Sequence, residues 1–428
     1  MTVEPEVAEA VQARLHVIAD SSSDEEEGGS RGAQADWVFE RDGGTGELPR
    51  GGSADRPWGA GTERLANKAV EDAVRELVSG GRPQALEPLC EKSYWDGLAA
   101  EVAPERVSPR ASAQPSPLEH QIEQVAQDSR SKLLKRGFCR IQLASGAEAD
   151  NARVAARLNF LRHLLAKLRE RGFPPVFLYV FDETLEVVRD LSLCAAGVMG
   201  CTQGDVELER SCFAWALDPR IQTQNFGLPH RDYSYSESVG QGGEPAVVCA
   251  WSPLVDTTPE NGCLYMVPRA LDALWDQPKH PNHMRAAVRA DGKALSGGTC
   301  HTMELNFNLA GAQPQLLQAG DAVLWCGNTV HWGSACDPDC QSPRQSLGVT
   351  FRRCGTKADT ENSTGGADAP AWCAGGGIPV DELQSLGTME RLRLVLRSTL
   401  LYSQWYDLSK KLPAVTQLVL DERLDPGH

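Results

Sequence analysis

The chain has 428 residues, 41% apolar and 23% charged, enough for two or three average domains or one large β-rich domain with helical additions. Its net charge of −16, from 42 Lys and Arg against 58 Asp and Glu, argues against a general nucleic-acid or acidic-membrane binder, which needs cations to neutralise phosphates. The acidic opening Met1-Thr-Val-Glu-Pro-Glu-Val7, and the lack of an apolar run near the roughly 20 residues that span a bilayer, predict a soluble cytoplasmic protein.

Residues 1–60 hold 13 Asp or Glu against 5 Arg, a charge of −8 that is half the total. Residues 21–60 are dense in Gly, Ser, Asp and Glu and cannot bury enough apolar surface to offset ordering, so a disordered tail is expected. That tail is also a candidate docking element for a protein partner. A helical extension over 61–130 follows, opening on a helix from Leu65 with Leu65, Ala69, Ala73 and Leu77 on one face. A Pro/Ser-rich link over 103–117 precedes a helix from about Leu118 to Lys135 and a strand from Phe138 to Leu143.

The clearest helix runs from Asp150 to Arg171, with Leu158, Leu161, Leu165 and Leu168 on one face and Gly172 and Pro174 ending it. Pro175–Phe181 reads as a short buried strand, and Asp182 as the cap of a helix to about Leu193. From Ser211 the texture changes to short strands between turns: Cys212–Leu217, Ala246–Leu254, Cys263–Val267, Met303–Leu309, Gln315–Leu317, Ala322–Cys326 and Gln345–Arg352. Such spacing predicts a sandwich or barrel. Residues 355–379 read as a loop, Leu383–Lys410 as a final amphipathic helix, and 411–428 as a tail. The 13 cysteines, odd in number and scattered from Cys90 to Cys373, read as reduced thiols. Cys336 and Cys340 are taken as a loop thiol pair, since no second pair completes a zinc site.

The chemistry sits in Phe226-Gly-Leu-Pro-His-Arg-Asp-Tyr233. On a strand, residues two apart share a face, so His230 and Asp232 can grip one ion together. Two imidazoles and a carboxylate on one face of an octahedron leave three positions open, the arrangement of non-haem iron(II) oxygenases. The third ligand has four downstream candidates, His280, His283, His301 and His331. His331 is the best supported, because it follows a turn at Gly320-Asp321 and an apolar strand. His280 and His283 lie in a Pro-rich loop with Lys279 and Arg285 and are read as solvated surface. Further on, alternation puts Arg344, Ser346 and Gly348 on one strand face, where a guanidinium and a hydroxyl can hold a carboxylate. Read alone, Arg344 is more readily a surface ion-pair partner.

Together, Pro229-His-Arg-Asp232, Trp251-Ser-Pro through Pro259-Glu-Asn-Gly-Cys-Leu264, Val267-Pro268, Gly320-Asp321, His331-x-Gly-Ser334 and Arg344-x-Ser346 resemble the phytanoyl-CoA dioxygenase family across residues 210–353. The resemblance implies a mainly β fold with α, a double-stranded β-helix (jelly roll, cupin-like) core flanked by helices within residues 131–410, the C-terminal helix included, with the helical N-terminal extension before it. It makes His230, Asp232 and His331 the iron(II) ligands. It also makes Arg344 with Ser346 the anchor of the cosubstrate 2-oxoglutarate, with Trp251 lining that pocket. The implied activity is hydroxylation of a small molecule by O2, with release of succinate and CO2. Halogenating relatives have a small residue where Asp232 stands, which favours hydroxylation. Pro268-Arg-Ala-Leu271 departs from the family pattern, and Asp272–Thr302 is expected to be an altered lid at the mouth of the site. The competing reading is a non-catalytic jelly-roll binding or scaffold protein that retains the metal motif.

Overall fold

The computed structural model describes residues 60–103, 117–143, 148–217, 229–289, 303–354, 376–401 and 412–424. Residues 1–59, most of the 103–117 link, Phe226–Leu228, 290–302 with His301, 355–375 and the segment through Lys410 lie outside these. Helices run over Ala60–Val78 (α1), Glu87–Cys90 (α2), Lys92–Val102 (α3), Pro117–Arg136 (α4), Glu148–Glu170 (α5), Asp182–Met199 (α6), Tyr235–Ser238 (α7), Thr388–Leu401 (α8) and Pro413–Leu424 (α9). The strands are Phe138–Ile141 (β1), Val206–Ala216 (β2), Val247–Pro253 (β3), Leu264–Met266 (β4), Ala287–Arg289 (β5), Met303–Leu305 (β6), Gln313–Pro314 (β7), Ala322–Cys326 (β8), His331–Gly333 (β9), Gln345–Arg353 (β10) and Ile378–Pro379 (β11).

The fold is mixed α/β with antiparallel sheets. A six-stranded sheet has the order β1-β8-β3-β10-β2-β11, and a three-stranded sheet has the order β7-β4-β9. Period-two alternation divides each strand between two cores. On the large sheet, Val248, Ala250, Leu324, Leu347, Val349 and Phe351 point outward into the core shared with the helices, among them Leu133 of α4, Leu161 and Leu165 of α5 and Leu191 of α6. Their neighbours Cys249, Trp251, Val323 and Trp325 point inward and meet Leu264 and Met266 of the small sheet. The two sheets therefore pack face to face.

Several expectations need correction. Pro175–Val180 is a 3-10 helix, not a strand. The buried run Phe177–Val180 is apolar on every side, which periodicity cannot separate from a strand, and Pro175 favours a helical first turn. The Tyr179 hydroxyl donates to the carbonyls of Phe213 and Gly348, both at 2.9 Å, and binds this turn to β2 and β10. Helix α6 continues to Met199, and β2 begins at Val206, earlier than the Cys212 expected. Gln315–Leu317 is not a strand; β7 ends directly before it, at Pro314. The expected final helix is a 3-10 turn, Val380–Ser385, then α8, and α9 follows separately.

The expected lid, Asp272–Thr302, is described as far as residue 289. Its Ala286, with Phe307 and Ala312 beyond it, covers the outer face of the small sheet, packing on Cys263, Tyr265, Val267, Val330 and Trp332. His283 is buried, not solvated: its Nδ1 lies 2.8 Å from the Leu274 carbonyl, and its Nε2 accepts from the Tyr235 amide at 3.0 Å. Burial pushes its pKa down, since charging the ring there forfeits hydration and the Tyr235 bond. Among the described residues no helix is long and apolar enough to cross a membrane, and the cysteines are free thiols.

Candidate metal centre

His230 and His331 form a two-residue antiparallel bridge, each amide donating to the other's carbonyl at 3.0 Å. The bridge brings together two histidines a hundred residues apart in sequence, with ring centroids 4.5 Å apart. Asp232, two residues on, lies on the same side as His230. Its Oδ1 is 3.7 Å from His230 Nε2, and its Oδ2 is 3.5 Å from His331 Nε2. Among the described residues these three are the group of His, Cys, Asp and Glu whose ligand atoms converge, all within 4.8 Å of one another. His331 Nδ1 lies 3.0 Å from the Thr329 carbonyl, which can only accept, so that nitrogen carries the proton. Nε2 is then the ring nitrogen that faces the carboxylate, and in a neutral ring it is a bare lone pair. Two acceptors so placed repel unless a proton or a cation lies between them, and the donor set suits a divalent transition metal.

Arg231, between two of these residues, turns the other way. Its side chain is buried, donating to both carboxylate oxygens of Asp272 (2.6 and 2.8 Å), to the Asn328 carbonyl (2.6 Å) and to the His283 carbonyl (2.6 Å). The His-Arg-Asp segment is thus clamped from behind by a guanidinium with a partner on each of its three nitrogens. Nothing in the sequence marked Arg231, because its partners Asp272, His283 and Asn328 come from two connections far along the chain, β4–β5 and β8–β9. Asp232 has two neutral donors of its own: Trp325 Nε1 and the Cys249 thiol each reach Oδ2 at 3.3 Å. Burial, together with the Asp232 charge, pushes the Cys249 thiol well up, so it stays protonated and donates. Beyond Asp232, the Tyr233 hydroxyl donates to Glu209, which also accepts from Arg352 Nε at 3.0 Å.

Arg344 and Ser346 stand at the other end of the inner face of β10, and both are buried. The loop Pro259-Glu-Asn-Gly262 shapes the Arg344 pocket. Asn261 Oδ1 accepts from the Thr258 amide and its Nδ2 donates to the Asp256 carbonyl, closing the turn. Gly262 completes it at φ +88°, where a Cβ would stand 2.7 Å from Leu217 and 2.8 Å from the Ser334 carbonyl. The Arg344 amide donates to the Asn261 carbonyl, and Nη1 to the Gly262 carbonyl. Gly333 of β9 passes so close that a Cβ there would be 2.9 Å from Nη1 and 3.0 Å from Nη2. Burial lowers the Arg344 pKa to about 10, which leaves it charged at neutral pH. Arg344 Nε and Ser346 Oγ are both buried and have no hydrogen-bond partner among the described residues. A buried, charged guanidinium with an unused donor beside an unused hydroxyl is costly unless an anion completes it. Trp251, 4% exposed, lies opposite Gly348 on the same inner face.

The structure thus brings together His230, Asp232 and His331, and sets Arg344, Ser346 and Trp251 on the adjoining inner face. It leaves His280 and His283 outside the cluster. The phytanoyl-CoA dioxygenase family model matches residues 144–337, a span that holds the three converging side chains and ends before Arg344. No curated protein matches the chain. Among solved structures the chain is similar to the epimerase SnoN in complex with Fe3+, alpha-ketoglutarate and nogalamycin RO, at 18% identity over 61% of this chain and 95% of that one, with TM-score 0.32. It is also similar to AviO1 from Streptomyces viridochromogenes Tue57, at 17% identity over 54% and 96% with TM-score 0.36. A third is EvdO2 from Micromonospora carbonacea var. aurantiaca complexed with 2-oxoglutarate, at 16% identity over 53% and 90% with TM-score 0.33.

Proposed function

We propose that the chain is an iron(II)- and 2-oxoglutarate-dependent dioxygenase on a double-stranded β-helix, hydroxylating a small molecule with release of succinate and CO2. One observation carries the reading: a His-Asp-His convergence shares the inside of the sandwich with a buried arginine and serine that each keep an unpaired polar atom. The family match over 144–337 supports it independently.

In this reading His230, Asp232 and His331 hold the iron, and Asp232 halves its charge. Bound there with 2-oxoglutarate and O2, iron would supply the oxidation that couples decarboxylation of the cosubstrate to attack on a C–H bond. The chain's part is binding, orientation and exclusion of water. Arg344 and Ser346 take the far carboxylate of 2-oxoglutarate, with Nε and Oγ as the donors that are unused without it. The Gly262 carbonyl and the close approach of Gly333 hold the guanidinium at one orientation. Trp251 walls the pocket, and the apolar inner cluster around it keeps water from the reacting centre.

The direct test is an anaerobic titration of 2-oxoglutarate into the iron(II)-loaded protein, watching for the weak visible band of the chelate. A saturable band in the wild type, absent in His230→Ala and shifted to higher cosubstrate concentration in Arg344→Ala, is the expected result. A wild type that takes up iron and shows no band at millimolar 2-oxoglutarate overturns the reading and favours a binding scaffold.

A further inference from the structure

Asp232 is held in a way that the three-residue motif does not foretell. A carboxylate oxygen offers two lone-pair directions. Oδ2 accepts from two donors, the Trp325 indole N–H from β8 and the Cys249 thiol from β3, each at 3.3 Å. These strands are neighbours, and Cys249 and Trp325 are direct register partners, so one rung of the large sheet delivers both donors to one atom. Thr350 of β10 donates in turn to the Cys249 sulfur at 3.6 Å, extending the rung to a third strand. The Trp325 ring also lies against His331, with centroids 4.8 Å apart, so the same side chain touches two members of the cluster.

We propose that Trp325 and Cys249 are positioning residues that, through Oδ2, hold the Asp232 carboxylate in the orientation it keeps between His230 and His331. This rests on the metal-site reading above and deepens it. A carboxylate free to rotate turns its charge away from an ion as readily as toward it. One pinned by two neutral donors keeps a single orientation, and its charge remains directed at the ion because neither donor neutralises it. Partners of this kind, one shell behind the ligands, are worth about 10- to 100-fold in metal affinity elsewhere.

The test uses Co(II), which reports its own coordination through its visible spectrum, with the full-length protein. Affinity is measured by calorimetry for wild type, His230→Ala, Trp325→Phe, Cys249→Val and Cys249→Ser, and metal-free thermal melts establish that each variant is folded. Trp325→Phe keeps the ring and removes the N–H. Cys249→Val keeps the volume and removes the donor, and Cys249→Ser restores a donor. The expected result is Co(II) binding about 10-fold weaker in Trp325→Phe and Cys249→Val, a changed Co(II) spectrum in both, and near wild-type behaviour in Cys249→Ser. Loss of packing alone lowers the melting temperature but does not change the spectrum or yield to the serine rescue. If wild type binds Co(II), His230→Ala does not, and both donor-deleted variants match wild type in affinity and spectrum, this inference fails while the metal site stands. If wild type binds no Co(II), the metal-site reading fails and takes the inference with it.

Discussion

Arg344 is a cation nearly sealed from water, and its surroundings explain how the chain tolerates it. In the turn at Asn261 and Gly262, the Gly262 carbonyl accepts from its guanidinium and the Asn261 carbonyl from its backbone amide, and the missing side chain at Gly333 gives it room. Gly333→Ala therefore pushes a methyl into the guanidinium while leaving the three metal-type side chains alone. The expected outcome is an apparent 2-oxoglutarate affinity lowered by about 10-fold or more, the loss of one charged hydrogen bond, with Co(II) affinity unchanged. Competition binding with a 2-oxoglutarate analogue measures it. At this scale the sequence was informative for ligand types: alternation alone put Arg344 and Ser346 on one face. It gave no signal for Trp325, Cys249 or Arg231, because their roles depend on which strand lies beside which.

Between elements, the hinge of the site is the bridge of His230 to His331, and its support is the buried pair Arg231–Asp272 with side chains each 1% exposed. Asp272→Ala leaves an arginine charge buried without its partner, which costs about 3–5 kcal/mol. The expected result is a matching loss in chemical denaturation, with weaker metal binding as the His-Arg-Asp segment loosens. Stability unchanged to within about 0.5 kcal/mol would mean that the two carbonyls accepting from Arg231 suffice. Elements with strong period were legible: the helices before β1 and after Asp150 and the strand Ala322–Cys326 all formed near their expected bounds. Pro175–Val180 was not, since its buried four-residue run Phe177–Val180 has the same pattern as a strand, and only its docking through Tyr179 decides it.

Across the whole molecule, helices cover the outside of the large sheet, and the segment after Pro268 covers the outside of the small one, leaving the inner faces for the site. Sequence pattern reached the sandwich but not this division, because the covering segment has little apolar period and its departure from the family pattern suggested a lid. His283 locks that segment to Tyr235 in the neutral form. Its folded pKa lies below the unfolded value, so the unfolded chain takes up its proton first. The stabilisation is therefore full above about pH 6.5 and is lost as pH falls through the lower folded value. Thermal melts between pH 8 and 5 are expected to fall more steeply for wild type than for His283→Gln below pH 6.5; parallel curves would remove His283 from the balance.

The most direct measurement is succinate formed from 2-oxoglutarate by the iron(II)-loaded protein in O2, beside His230→Ala and Arg344→Ala. It needs no knowledge of the substrate, because such centres turn over slowly without one. Succinate from wild type, none from His230→Ala and a sharp fall with Arg344→Ala is the predicted result. Succinate formation that persists in His230→Ala, or its absence from an iron-loaded wild type, would contradict the proposed activity.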